Sequence, residues 1–302
     1  MMHSLKVYLV FTLSQSFYFA LNAQSVADST LQKIAGERAF YETLGKIYPA
    51  ESSVPVDETT IAGVRAYWFN QDLTSQKHIV IHLHGGMFAL GSINSYHAMI
   101  SHLSKNLNLP VVYIEYSLAP EKPYPVAINE IVKVYNELQK KYPGYTFSIT
   151  GDSAGGALAI ELVYNNIEEK VPVPSSVVLI SPWVDLKTQN QSYVTKQAVD
   201  PILSKKTLHD HAVLYNPENI KQADPSELTF KTFPPVFVLV GSDEVLLDDA
   251  KNFYAYIKPI QKKAKLKEFE GQKHVWPVSD IGSKASIEAM NDIKEFIQAN
   301  QH

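Results

Sequence analysis

Cysteine is missing from all 302 residues, and that absence removes several possibilities at once. A zinc site with thiolate ligands and an anchor through a lipidated cysteine are both excluded. The lack of disulfides leaves the redox compartment open. Charge is also sparse: 19% of residues are Asp, Glu, Lys or Arg, and the formal net charge is -4. Such a balance offers no electrostatic reason to bind nucleic acid. The lysine clusters at Lys140 and Lys141, and at Lys262, Lys263 and Lys265, are short and read as solvated faces at helix ends. No internal repeat is present. With 45% hydrophobic residues the chain can bury a large core, and its length suits one α/β domain.

One apolar stretch stands apart from the rest. His3 and Lys6 precede Val7 to Leu21, and the segment ends in Leu21-Asn22-Ala23-Gln24. It resembles a secretory signal cleaved after Ala23, which would leave residues 24–302 as the mature chain, exported to a periplasm or the medium. Thr12, Ser14, Gln15 and Ser16 interrupt the run, and it is short for a stable membrane span. An amphipathic N-terminal helix is the competing reading.

The remainder alternates between two periodicities. Strand patterns fall at Thr60–Phe69, His78–Leu83, Val111–Tyr116, Phe147–Thr150, Val177–Ile180, Val236–Val240 and Leu266–Phe269. Helical stripes separate them, for example Ala127, Ile131, Val134, Tyr135 and Leu138, and later Ile287, Met290, Ile293 and Ile297. Strands alternating with helices predict a mostly parallel sheet covered on both faces.

Chemistry concentrates where expected strands end. Residues 151–156 read G-D-S-A-G-G, between the strand pattern that ends at Thr150 and a helix-forming run that begins at Ala157. Ser153 therefore sits at a strand-to-helix turn, the setting of a nucleophile elbow. A serine hydroxyl becomes a useful nucleophile only beside a base and beside donors for the oxyanion it creates. Glycines two before and two after leave room for the strained turn. Alone, G-x-S-x-G arises by chance in very roughly one chain in ten of this length, so the other parts matter.

Those parts follow in a consistent order. The strand Ile79–Leu83 runs into His84, Gly85, Gly86, Met87 and Phe88. Backbone N–H groups of this loop, with that of Ala154 after the serine, make a candidate oxyanion hole comprising Gly85, Gly86, Met87 and Ala154. An ordinary loop after a strand would explain the two glycines by themselves. The strand around Val236–Val240 ends in Gly241-Ser242-Asp243-Glu244, and a carboxylate there can orient a histidine. His274 follows the last strand pattern, in the segment K-H-V-W-P, as the candidate base. His82 and His84 share one side of a strand, but His84 belongs to the loop and no third metal ligand is evident.

These residues carry a family resemblance. The H-G-G loop, the G-D-S-A-G-G elbow, Tyr116–Glu121 (Y-S-L-A-P-E), Leu179–Leu186 (L-I-S-P-W-V-D-L), Gly241–Asp249 and His274–Pro277 occur in family order. From about Ile61 to the C-terminus the chain is similar to the hormone-sensitive-lipase group of α/β-hydrolases, bacterial carboxylesterases in the main. The resemblance implies an α/β-hydrolase fold with a helical cap, here from about 25–53 and 187–232. It also implies a catalytic set of Ser153, an acid and His274, with His84 and Asp152 as supporting motif residues. Anchoring the family pattern D-P-L-x-D on Leu246 and Asp248 puts Glu244 in the acid's place. Adjacent Asp243 is the alternative acid. One departure is Met87, which stands at the third glycine of H-G-G-G. Methionine keeps the N–H but adds bulk beside the acyl site.

The resemblance therefore implies a serine carboxylesterase acting on short-acyl, small-molecule esters without a cofactor or metal. Lactonase or deacetylase chemistry on the same machinery is the alternative. An arylformamidase fits less well, because its H-G-G-x-W loop has tryptophan where Phe88 stands. A non-catalytic ligand-binding protein on this fold is the rival from another class, and the presence of both Ser153 and His274 weighs against it. Monomer and homodimer both remain open.

Overall fold

The computed structural model describes residues 29–301, so the expected signal at 1–23 lies outside the described residues. The chain divides into two units between Phe40 and Tyr41, and of the first only residues 29–40 are described. Within the first, residues 29–40 are helical and belong to a helix, α1, that spans 29–41.

The second unit is built on eight strands: β1 (Val56–Ile61), β2 (Val64–Phe69), β3 (His78–Leu83), β4 (Val111–Ile114), β5 (Thr146–Asp152), β6 (Ser176–Ile180), β7 (Val236–Gly241) and β8 (Lys265–Phe269). They form one sheet in the order β1-β2-β4-β3-β5-β6-β7-β8. Pairing is antiparallel at β1–β2 and β2–β4 and parallel from β4 through β8. The expected single strand Thr60–Phe69 is instead a hairpin. Ala62 (φ 50°) and Gly63 (φ 85°) both adopt positive φ, as a two-residue type I′ turn requires. Only the glycine signals that turn in the sequence.

Helices α2 (Ile93–Leu107), α3 (Val126–Lys141), α4 (Ala154–Glu168), α7 (Leu247–Ile257) and α9 (Lys284–Gln298) cover the sheet. Strand alternation divides the core in two. Ile79, Ile81, Leu83, Ile149, Val177, Leu179, Val238 and Val240 face one cluster with residues of α3, α4 and α7. Val80, Val178, Ile180, Phe237 and Leu239 face the other with residues of α2 and α9. The α3 stripe is buried as its spacing predicts. In α9 the buried arc is centred on Met290, Ile293 and Ile297 and completed by Ala289 and Phe296. Ile287 lies outside that arc and is 54% exposed.

The segment between β6 and β7 carries α5 (Ser192–Thr195), α6 (Lys205–Tyr215) and two short 3-10 turns. The last short helix, α8 (Trp276–Ser279), follows His274. Among the described residues, no helix is long and apolar enough to cross a membrane.

Candidate active site

Parallel strands bring their C-terminal ends to one edge of the sheet, where ligand sites of open α/β sheets form. That edge gathers the loop after β3, Ser153 after β5, Ser181 after β6, Glu244 after β7 and His274 after β8.

Ser153 has φ 50° and ψ -119°, a conformation that costs a non-glycine residue on the order of 1–3 kcal/mol. The surroundings fix it. Its N–H donates to Ile180 O (3.0 Å), and its carbonyl accepts from Trp183 N and Gly156 N at 3.0 Å each. The flanking glycines are steric necessities: a Cβ on Gly151 would lie 2.4 Å from Gly155 O, and one on Gly155 would lie 2.0 Å from Leu83 O. α4 begins immediately after the serine, so the N–H of Ala154 is an orphan donor at a helix N-terminus.

Of the two adjacent carboxylates, Glu244 meets the histidine and Asp243 does not. Glu244 is fully buried, and its Oε2 lies 2.9 Å from His274 Nδ1. Its Oε1 accepts from Gly241 N (2.5 Å) and Ser181 Oγ (2.8 Å). Asp243 turns away: its carboxylate pairs with Lys273 Nζ at 2.8 Å, and that hydrogen bond holds it below the usual aspartate range. Ser181 is a residue that the motif reading quoted without a role. Besides binding Glu244, its Oγ accepts from Val275 N (3.3 Å), so one hydroxyl joins the acid to the histidine loop.

The loop after β3 is held from several sides. His84 stacks on Tyr116 with ring centroids 4.1 Å apart, and its carbonyl accepts from Tyr116 Oη at 2.6 Å. Its Nδ1 contacts Gly85 O at 2.7 Å. Burial depresses the imidazole to about 4, so His84 is neutral and structural at ordinary pH. The N–H of Gly85 is already engaged with Tyr96 Oη at 3.0 Å. This corrects the expected oxyanion hole, because a donor committed to a tyrosine is not available to a substrate. The N–H groups of Gly86, Met87 and Ala154 donate to no protein acceptor among the described residues. Met87 and Phe88 have φ 54° and 59°, which explains why glycine suits the methionine's position. Phe88 stacks on Tyr215 of α6 at 3.8 Å and 6°.

His82 Nε2 lies 3.3 Å from Asp152 Oδ1, while His82 Nδ1 bonds Thr150 Oγ1 at 2.9 Å. Among the described residues, no three His, Asp or Glu side chains are grouped to hold a metal ion.

A strained serine between strand and helix, with a bonded histidine and glutamate at the same sheet edge, is the architecture of an α/β-hydrolase. Comparison with known proteins agrees. The family model described as alpha/beta hydrolase fold matches residues 80–278. An esterase of Acinetobacter venetianus is 31% identical over 264 residues, 86% of this chain and 87% of that protein. An acetyl-hydrolase of Streptomyces hygroscopicus is 30% identical, over 76% of this chain and 80% of that one. The solved structure of an esterase from the bacterial hormone-sensitive lipase family has a TM-score of 0.84 at 28% identity, covering 89% of this chain and 92% of its own. The chain belongs to the α/β-hydrolase fold family, in its hormone-sensitive-lipase-like group.

Proposed function

We propose that the protein is a serine carboxylesterase in which Ser153 is the nucleophile, His274 the base and Glu244 the acid. The observation that carries this reading is Ser153 at φ 50° on the elbow, together with the 2.9 Å contact between His274 Nδ1 and Glu244. A carboxylate can only accept, so Nδ1 carries the proton facing it and Nε2 keeps a lone pair. That lone pair takes the Ser153 proton as Oγ attacks the ester carbonyl. Negative charge develops on the carbonyl oxygen and is met by the N–H groups of Gly86, Met87 and Ala154. Protonated His274 then gives its proton to the departing alcohol, leaving an acyl-enzyme. Water attacks by the same route and regenerates Ser153.

The acyl group is short in this reading. Support comes from the bulk that Met87 adds to the loop in place of a glycine and from the stacking of Phe88 on Tyr215. The latter ties the 187–232 segment to the loop, as a cap closing over the site would require. An acetyl group, for which the Streptomyces acetyl-hydrolase is named, falls within this range. Export through residues 1–23 belongs to the proposal on sequence grounds alone. Hydrolysis of a p-nitrophenyl ester series by wild type and Ser153→Ala tests the whole: a variant that turns over like wild type would end the serine mechanism.

A further inference from the structure

We propose that Tyr96 is a positioning residue that sets the two halves of the oxyanion hole against each other. The inference rests on the reading of Ser153, Gly86 and Met87 given above. Tyr96 lies on α2 and is fully buried. Its Oη donates to Asp152 Oδ2 (2.7 Å), accepts from Gly85 N (3.0 Å) and lies 3.0 Å from Tyr41 Oη. A phenol has one proton and two lone pairs. The proton goes to the carboxylate, so Gly85 N–H and Tyr41 O–H fill the lone pairs, and the hydroxyl has no capacity left.

The two residues it bridges are the ones that matter for the hole. Asp152 immediately precedes Ser153 and the Ala154 donor, while Gly85 immediately precedes the Gly86 and Met87 donors. One oxygen atom thus fixes the separation of two loops that come from different strands. The approach between them is close: a Cβ on Gly85 would lie 2.3 Å from Asp152 Oδ2 and 3.0 Å from Ser153 Cβ. Burial raises the Tyr96 phenol well above its ordinary range, so it remains a donor at any working pH.

Packing alone does not require the hydroxyl. The Tyr96 ring lies against His82, His84 and Tyr113, and phenylalanine would fill that space equally. Tyr96→Phe therefore isolates the bridge. It leaves Gly85 N–H and Asp152 Oδ2 without their partner and lets the loop drift, and a misplacement of about 1 Å can cost on the order of a hundredfold.

The test uses the full chain with p-nitrophenyl butyrate and, separately, an alkyl boronic acid that forms a tetrahedral adduct on a reactive serine. Tyr96→Phe should lower kcat by about ten- to a hundredfold with KM within about threefold. Boronic acid affinity should weaken in step with kcat/KM, which a general loss of packing would not produce. Tyr41→Phe, which spares both bridging bonds, should stay near wild type. A loss as large in that variant, a loss confined to KM in Tyr96→Phe, or unchanged kcat there would each overturn the proposal. Ser153→Ala run in parallel separates the two readings: if it is inactive while Tyr96→Phe keeps wild-type kcat, only the bridge fails. If Ser153→Ala remains active, the serine mechanism itself fails. Should Tyr96→Phe not fold, p-aminophenylalanine at position 96 keeps a donor for Asp152 but accepts poorly from Gly85. It should show the same split in smaller measure, and wild-type kinetics there would likewise overturn the bridge.

Discussion

Replacing Glu244 with glutamine changes one oxygen to an amide nitrogen, and the structure dictates which one. Oε1 accepts from Gly241 N at 2.5 Å and from Ser181 Oγ at 2.8 Å. An NH2 group placed there would confront the Gly241 N–H donor, so the amide oxygen must occupy the Oε1 site. The NH2 group then faces His274 Nδ1, which can only accept from it. The ring proton moves to Nε2, the nitrogen that must be free to take the Ser153 proton. Glu244→Gln is therefore a tautomer error with little change in shape. An acid-to-amide change of this kind in a serine-protease triad costs about ten-thousandfold in kcat, or roughly 5 kcal/mol of transition-state stabilisation. Asp243→Asn removes only a partly exposed ion pair to Lys273 and should leave kcat within about threefold. Initial rates on p-nitrophenyl butyrate, with thermal melts to show that both variants fold, measure the contrast. If Asp243→Asn lost more activity than Glu244→Gln, the acid assignment and the reasoning from Oε1 would both be wrong.

Ser153→Ala should lower kcat by on the order of a thousandfold or more with the fold intact, read from turnover and circular dichroism. Across p-nitrophenyl esters, kcat/KM should peak at acyl chains of about two to six carbons and fall by about twelve, since a methylene contributes about 0.8 kcal/mol only where it finds apolar wall. Met87→Gly should broaden that profile, and a long-chain optimum in wild type would favour a lipase. Stability should fall between about pH 6.5 and pH 4. Burial lowers His78 and His84 to about 4 in the folded chain from 6.5, so the unfolded chain takes up these protons first. The stabilisation is full above 6.5 and declines on acidification by up to about 1.4 kcal/mol per pH unit for each histidine. Urea midpoints that stay flat from pH 7 to pH 5 would contradict that linkage.

Much of this was legible because local signals agreed. Parallel strands buried on both faces read as apolar runs, and each of β3 to β8 overlaps a strand pattern seen in the sequence. The elbow announces itself through glycines that sterics demand within five residues. Adjacent Asp243 and Glu244 were separable only by analogy, because the strand end sends one carboxylate inward and the other to Lys273. The commitment of the Gly85 N–H to Tyr96 had no local sign, since it depends on α2 laying a phenol against β3 and β5. Ser181 was hidden for the same reason. Asp249 stands in the first turn of α7. Its buried carboxylate accepts from Val184 N, Asp185 N, Asn190 Nδ2 and Tyr193 Oη. Such a knot of bonds to another segment cannot be inferred from helix position.

Backbone strain shows how the pieces depend on one another. Among the described residues, eleven non-glycine residues have positive φ, and five of them, Met87, Phe88, Ser153, Ser181 and Val275, stand at the C-terminal edge of the parallel strands. Valine is an especially unfavourable occupant of that region because its branched Cβ crowds the backbone. Three of the five follow or constitute a residue with a proposed chemical role: Met87 lies within the oxyanion loop, Ser153 carries the nucleophile and Val275 follows His274. Each such residue costs on the order of 1–3 kcal/mol and persists only where its surroundings overdetermine it. The bonds that do so run between loops: Ser153 to Ile180 and Trp183, Ser181 to Glu244 and Val275, Tyr96 to Gly85 and Asp152. No single loop could hold its own geometry. The rigid sheet beneath them fixes where the loops begin, and the cross-links fix where their reactive atoms stop.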